Sequence, residues 1–328
     1  MCIYGKIIQN PKYRPNKKNN GVVPEMRDNR VRYVPVSCGV CFECMKQKAN
    51  GWKIRLAEEI RDNPRGKFVT LTFTEEALVK LGKKIKGLEG YALENEIATR
   101  AVRFFTERWR KKFKKAPRHW LITELGHEGT ERIHLHGIIW ADNAADIEER
   151  WNAGKYKYGW VWKEKVVNEI AVNYVNEETV GYMMKYVTKT DPKHKAYKPI
   201  ILCSKGIGKG FINRFGFERT KYQGIDTKAE YVTESGHKVG LPIYYRNKRY
   251  TEEEREQLWL QRLDKNERWV GGEKVKADDD KEYYGLLEYY RRLNREMGYG
   301  SPEDWDVIAY ENERRKLIQA RRTEGYEE

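Results

Sequence analysis

The sequence predicts an α+β fold, and three features carry that expectation. Lys67–Phe73, Trp120–Glu124 and Ile133–Trp140 are rich in β-branched and aromatic residues, the composition of strands. Longer stretches repeat apolar residues at three- and four-residue steps, the period of an amphipathic helix. The two patterns mix in residues 51–215. Residues 1–50 are irregular, rich in Pro, Asn and Lys, and end in a cysteine cluster; residues 216–328 are charged and largely helical. The expected organisation is a Cys-rich, metal-binding N-terminal segment (1–50), a mixed core (51–215) and a charged accessory C-terminal region (216–328).

Taken in order, a helix is expected over Trp52–Asp62, where Ile54, Leu56, Ala57 and Ile60 form a partly apolar stripe. Asn63-Pro64-Arg65-Gly66 breaks it. The strand Lys67–Phe73 follows, and Thr74 is placed to cap the next helix. A longer helix over about 94–114 carries Val102, Phe105, Trp109 and Phe113 on one side. Its end is strongly basic, with Arg108, Arg110, Lys111, Lys112, Lys114 and Lys115, and these six are the candidate DNA-binding cations. Trp120–Glu124 and Ile133–Trp140 read as a hairpin around the loop Gly126–Arg132. Residues 143–152 read as a helix. Residues 156–167 read as a strand whose Tyr156, Tyr158, Trp160 and Trp162 would share one face, either to stack on single-stranded DNA or to pack under a helix. Glu177–Lys189 reads as a helix ended by Asp191-Pro192. Residues 251–269 and 281–297 read as charged helices, and the last twenty or so residues as a fraying tail.

Composition narrows the partners. The 328 residues carry a formal net charge of +15, and 12% are aromatic. That balance points to a polyanion, nucleic acid foremost. No apolar run approaches a membrane span and nothing at the N-terminus resembles a signal peptide, so no membrane partner and a cytoplasmic location are expected. There the five cysteines would be reduced, and clustered ones would bind metal rather than form disulfides.

Three constellations carry chemistry. In Ile133-His134-Leu135-His136, strand alternation sends both imidazoles to one face and Leu135 to the other. Such a pair can hold one divalent ion, and a carboxylate as third ligand would favour Mg²⁺ or Mn²⁺. A hairpin turning near Gly129 sets Glu124 across from His134, whereas His127 and Glu128 fall on the loop. In Gly181–Lys189, the unit Tyr-x-x-Lys occurs twice in tandem. Helical spacing brings Tyr182 and Tyr186 to one face, with Lys185 and Lys189 as an adjacent stripe. A phenol, with its pKa of about 10, is a poor nucleophile without help. Neighbouring lysines favour the phenolate and offset charge on a five-coordinate phosphorus. Cys38-x-x-Cys41-x-x-Cys44 has two metal-ligand spacings in series, and Cys2 is the candidate fourth ligand of a zinc ion. Cys203 stands apart.

These residues together resemble the HUH endonuclease superfamily. Phe68–Phe73 is similar to its first, strand-forming motif, His134-Leu135-His136 to its metal-binding motif, and Tyr182–Lys189 to its two-tyrosine nucleophile motif. Met1-Cys2-Ile3-Tyr4, Asn10-Pro11-Lys12-Tyr13, Cys38–Cys44 and Ser204–Gly210 narrow the resemblance to the replication initiators of gokushovirus-type microviruses, over roughly residues 1–215. The resemblance implies an antiparallel sheet flanked by helices, nicking of an origin strand with a 5′-phosphotyrosine link, and rejoining of unit-length circles during rolling-circle replication. It also implies single-stranded and supercoiled origin DNA as partners in a host bacterial cytoplasm. The glycine- and lysine-rich Ser204–Gly210 lacks the nucleotide-binding loop pattern, and no such loop occurs elsewhere, so a host helicase is expected to unwind the duplex. Two rival readings are an HUH transposase or relaxase, and a non-catalytic zinc-containing nucleic-acid-binding protein. The second explains charge and cysteines but not the histidine and tyrosine pairs.

Overall fold

Alternation of side chains along residues 133–140 gives that strand two different faces, and a sheet is built around it. The computed structural model describes residues 2–127, 131–163, 165–167, 170–172, 175–276 and 278–325, with the backbone alone at 165–167 and 170–172. Glu128 and the expected turn centre at Gly129 lie outside the described residues, as do 164 and 168–169 and the last three residues of the tail.

In chain order the elements are β1 (Lys6–Gln9), β2 (Tyr33–Val36), α1 (Phe42–Asp62), β3 (Gly66–Leu71), α2 (Glu75–Gly82), α3 (Gly90–Phe113), β4 (Arg118–Leu125) and β5 (Ile133–Trp140). Then come α4 (Ala144–Asn152), β6 (Val161–Trp162), β7 (Lys165–Val167), β8 (Ile170–Val172), α5 (Glu177–Thr188), β9 (Ile201–Cys203) and α6 (Phe215–Glu218). The last are β10 (Glu230–Val232), β11 (Lys238–Gly240), α7 (Ile243–Arg249), α8 (Glu252–Asp264), β12 (Glu267–Val270), β13 (Glu273–Lys276), α9 (Asp280–Glu296) and α10 (Trp305–Glu324). The fold is α+β, and the chain divides into two units, Met1–Gly51 with Phe211–Glu303, and Trp52–Gly210 with Asp304–Glu328.

The second unit holds a five-stranded sheet in the order β6-β3-β5-β4-β9, every neighbouring pair antiparallel. Val69, Leu71, Leu121, Leu125, Leu135 and Ile139 point to one face and form a core with residues of α2, α3 and α4. Gly137 lies where β5 passes closest to β4; a Cβ there would fall 2.0 Å from the Trp120 carbonyl oxygen, so no other residue fits. The opposite face carries Phe68, Thr70, Trp120, Ile122, Glu124, His134, His136 and Ile138. Helix propensity and caps place the helices: the Thr74 side chain accepts from Ala77 N–H at the start of α2, and Asn176 closes a capping box with Thr179 at the start of α5.

Three expectations are corrected here. Residues 156–160 are not a strand: Tyr158 is buried against Phe73 and Trp151, while Trp160 is 60% exposed, so the four aromatics share no face. The bulk needed to fill the space beside α4 decides this, not the alternation. The C-terminal tail does not fray over 305–324 but forms α10. It lacks an apolar stripe because it packs through charge: Arg315, 1% exposed, donates to Glu94 Oε1 and to the Glu131 carbonyl, and Arg322 reaches Glu94 and Glu75. The helix expected over 251–269 ends at Asp264; Asn266 turns left-handed (φ 52°), and Gly271-Gly272 close a β12–β13 hairpin with both φ positive.

The first unit packs Ile3, Tyr4, Cys41 and Cys44 with Val270 and Leu287. A smaller cluster joins Tyr13 and Val31 to Leu260, and Phe211, Phe217, Tyr231 and Tyr245 form an aromatic group. Among the described residues no helix is long and apolar enough to cross a membrane.

Candidate active site and metal centres

Antiparallel register brings the first constellation together: Glu124 on β4 pairs with His134 on β5, and His136 lies two residues further along the same face. Glu124 Oε2 lies 3.1 Å from His134 Nε2 and 2.9 Å from His136 Nε2. Lys189 Nζ, just past the end of α5, lies 2.5 Å from the other carboxylate oxygen. Burial pushes the Glu124 carboxyl up, but His134, His136 and Lys189 outweigh it and hold the group well below the usual carboxylate range.

The donor set suits a cation. His134 Nδ1 lies 3.3 Å from the Arg132 carbonyl, which can only accept, so Nδ1 carries the hydrogen and Nε2 a lone pair. His136 Nδ1 lies 2.9 Å from the Thr70 hydroxyl, while its Nε2 is buried and off-line for a hydrogen bond despite its nearness to Glu124. Burial lowers the His136 pKa against the pull of Glu124, which favours the neutral, ligating form. Two lone pairs facing a carboxylate repel it unless a cation lies between them. A six-coordinate ion about 2.1 Å from each donor sets neighbouring donors about 3 Å apart, close to the separations present. Glu124, His134 and His136 could therefore hold a metal ion.

The tyrosine pair stands over this group. The Tyr182 and Tyr186 hydroxyls are 2.7 Å apart. The Tyr186 ring stacks on His136 with centroids 4.3 Å apart and planes at 12°, and Tyr182 meets Phe68 edge-on. Neither ring lies beneath the sheet: Tyr182 is 46% exposed and Tyr186 half-buried. Burial, then the hydrogen bond with Tyr182, raises the Tyr186 pKa above its ordinary value. Lys185 is exposed, with Nζ 5.5 Å from the centre of the Tyr182 ring. Val180, Met183, Met184 and Val187 bury the rest of α5, which fixes the side that the tyrosines present.

Sequence reasoning passed over Thr70 and Phe68 as site residues. The signal was present, because period two along β3 puts both on the face of His136. His127 lies 3.6 Å from Asp191 and joins no metal-holding group.

In the other unit, the four cysteine sulfurs Cys2, Cys38, Cys41 and Cys44 lie within 4.8 Å of one another. Cys38–Cys44 and Cys2–Cys41 are each 3.9 Å apart, and tetrahedral zinc with bonds of about 2.3 Å sets its sulfurs about 3.8 Å apart. The amides of Cys38 and Cys41 donate to the sulfurs of Cys2 and Cys38, which favours thiolates. The hydrogen bond from Cys44 foremost holds the Cys41 thiol low, against burial. Cys44 lies in the first turn of α1, so that helix begins ten residues before the expected Trp52. The cluster could hold a metal ion. Cys203 lies apart on β9, opposite Trp120.

The six candidate DNA-binding cations divide. Arg108 donates to the Arg150 and Trp151 carbonyls and lies over Tyr158, and Lys112 pairs with Glu149 and Asp146. These two serve the α3–α4 packing. Arg110, Lys111, Lys114 and Lys115 are exposed. The Ser204–Gly210 loop is also spoken for within its unit: the Gly208 amide donates to Glu59, and the Gly206 and Ile207 carbonyls accept from Arg118 and Arg55.

Residues 66–191 match the replication-associated protein ORF2 family. That stretch runs from β3 through α5 and so contains the Glu124, His134, His136 group and both tyrosines. No curated protein and no solved structure matches the chain.

Proposed function

We propose that this chain is a metal-dependent DNA nickase and strand transferase that initiates rolling-circle replication. One observation carries the reading: a pair of phenols in mutual hydrogen bond lies against His136, a member of a Glu-His-His metal-holding group, inside the stretch that matches a replication-associated family. Mg²⁺ or Mn²⁺ held by Glu124, His134 and His136 would polarise a scissile phosphate and supply positive charge beside the phenols.

The chain's own residues do the rest. Tyr182 or Tyr186, having lost its proton, attacks phosphorus in line; the bond to the 3′ oxygen breaks, that oxygen takes up a proton, and a 5′-phosphotyrosine remains. Because the ester keeps the energy of the broken bond, a 3′-hydroxyl can later reverse the step without ATP. The second phenol, 2.7 Å from the first, can cut the next origin copy while the first still holds a 5′ end. Lys185 and Lys189 offset charge at the phosphate. Zn²⁺ at Cys2, Cys38, Cys41 and Cys44 would brace the first unit. Arg110, Lys111, Lys114 and Lys115 offer phosphate contacts on the second. Single-stranded and supercoiled origin DNA, a host helicase and a bacterial cytoplasm belong to the same reading, and the gokushovirus-type setting rests on the sequence resemblance.

The test uses labelled single-stranded oligonucleotides tiling the replicon that encodes the chain, with Mn²⁺ and a denaturing gel. The wild type should give a covalent adduct. Tyr182→Phe or Tyr186→Phe should each keep one adduct but release little closed circle, and the double variant should form none. His134→Ala or His136→Ala should abolish cleavage and spare DNA binding. A wild type that binds every oligonucleotide without an adduct would make the chain a binding protein instead.

A further inference from the structure

The β1–β2 ribbon of the first unit is apolar where it meets solvent. The register Ile7↔Pro35 and Gln9↔Tyr33 puts Ile7, Pro35 and Tyr33 on one face. Ile7 is 74% exposed and Tyr33 56%, and Pro35 is exposed too. Among the described residues the two strands form a sheet of their own. Apolar side chains in such a position cost solvation without contributing to a core, and so mark a contact surface.

Charge selects the occupant. Residues 1–51 hold ten Lys and Arg against three Asp and Glu, and residues 211–303 hold eighteen of each, so the unit's entire positive excess lies on the segment that bears the ribbon. None of the first 24 residues is acidic. Lys6, Arg14, Lys17, Lys18, Arg27 and Arg32 are all exposed, and none enters an ion pair among the described residues. A turn built by Asn16 and Asn19 side chains holds the backbone around Lys17 and Lys18. The cations disfavour a second copy of the same face. They complement a phosphate backbone, and the major groove of duplex DNA admits a two-stranded ribbon.

We propose that the β1–β2 ribbon enters a groove of duplex DNA, with Ile7, Pro35 and Tyr33 against base edges and the flanking cations on phosphates. This rests on the nicking reading and extends it: the tyrosine unit acts on a single strand while the ribbon holds the duplex beside it. Thymine methyls are the apolar partners that a groove offers such side chains.

The experiment measures anisotropy of the full chain on a fluorescent 30-base-pair duplex of mixed sequence and on one of its single strands. Two variants are compared with wild type, each checked by thermal melt: Ile7→Ser with Tyr33→Ser, and Lys6→Gln, Lys17→Gln, Lys18→Gln with Arg32→Gln. The apolar variant should bind duplex about tenfold more weakly with an unchanged salt slope, and single strand within about twofold of wild type. The charge variant should weaken duplex binding and flatten the salt slope by up to about four. Unchanged duplex affinity in both overturns the proposal. So does an equal loss on single strand and duplex, or a wild-type dimer that the apolar variant dissolves. Adduct formation on single strands is scored separately, so a wild type that makes no adduct sinks the nicking reading and leaves the ribbon measurement standing.

Discussion

Thr70 holds the one atom that decides how His136 meets a cation. Its hydroxyl lies 2.9 Å from Nδ1, so Nε2 is left to face Glu124. Thr70→Val keeps the shape and removes the partner; metal affinity should fall about 10–100-fold, read as a higher Mn²⁺ requirement for cleavage, and Thr70→Ser should restore it. Unchanged Mn²⁺ dependence in the valine variant would mean that packing alone orients the ring. Glu124 opposite His134 could be read from the sequence, because period two and a short loop leave the hairpin few registers. Thr70 could be placed on the right face but not against a given ring nitrogen, since that depends on the stagger between β3 and β5. His194 was silent in the sequence for a similar reason. It is fully buried, with Nδ1 2.9 Å from Asp191 and Nε2 3.0 Å from Glu131. Burial lowers its pKa, but the two carboxylates outweigh that and raise it above the ordinary 6.5. A raised pKa stabilises fully below the unfolded value and is lost as pH rises through the folded one. His194→Gln should therefore destabilise more at pH 6 than at pH 9 in urea melts, and an equal loss at both would show that the histidine is held neutral.

At the scale of elements, two helices carry features that periodicity cannot announce. The first turn of α1 is a metal ligand as well as a helix start, so its N-terminus depends on the cysteine cluster rather than on propensity. Chelation that strips the metal should loosen residues 38–48 in hydrogen exchange; unchanged protection would mean that the sulfurs pack well enough alone. The cysteine spacing made the cluster legible, whereas the early start of α1 was masked by the glycine at position 51 and the polar run before it. In α10 the buried residues are Glu311 and Arg315, which a pattern search for apolar stripes discards. Arg315→Met leaves Glu94 and Glu131 short of their cation inside the unit. Removing one partner of a buried pair costs about 3–5 kcal/mol, so the urea midpoint should fall sharply. A loss under about 1 kcal/mol, the range of exposed pairs, would mean that water reaches the network.

At the scale of the whole molecule, each compact unit is assembled from two separated stretches of chain. Local composition marks changes near residues 50 and 215, but it carries no sign that residues 304–328 return to the unit with the five-stranded sheet, because only tertiary charge pairing brings them there. A chain stopped after Glu303 tests that arrangement. The sheet-bearing unit would lose Arg315 from Glu94 and Glu131, Arg322 from Glu75 and Glu94, and Glu311 from Tyr91. Protection should then drop in the first half of α3 and at the base of the β4–β5 loop, where Glu94 and Glu131 sit. Adduct formation should drop with it, since Glu131 also holds His194 and Lys193, a few residues beyond α5. The cysteine unit should keep its metal, because Cys2, Cys38, Cys41 and Cys44 and the residues packed with them, Ile3, Tyr4, Val270 and Leu287, all lie before residue 304. Metal content by mass spectrometry and hydrogen exchange on one preparation separate the outcomes. A truncated chain with full protection and wild-type adduct would show that α10 adds little to the sheet unit, and one that also lost its cysteine-bound metal would show that neither unit holds its structure alone.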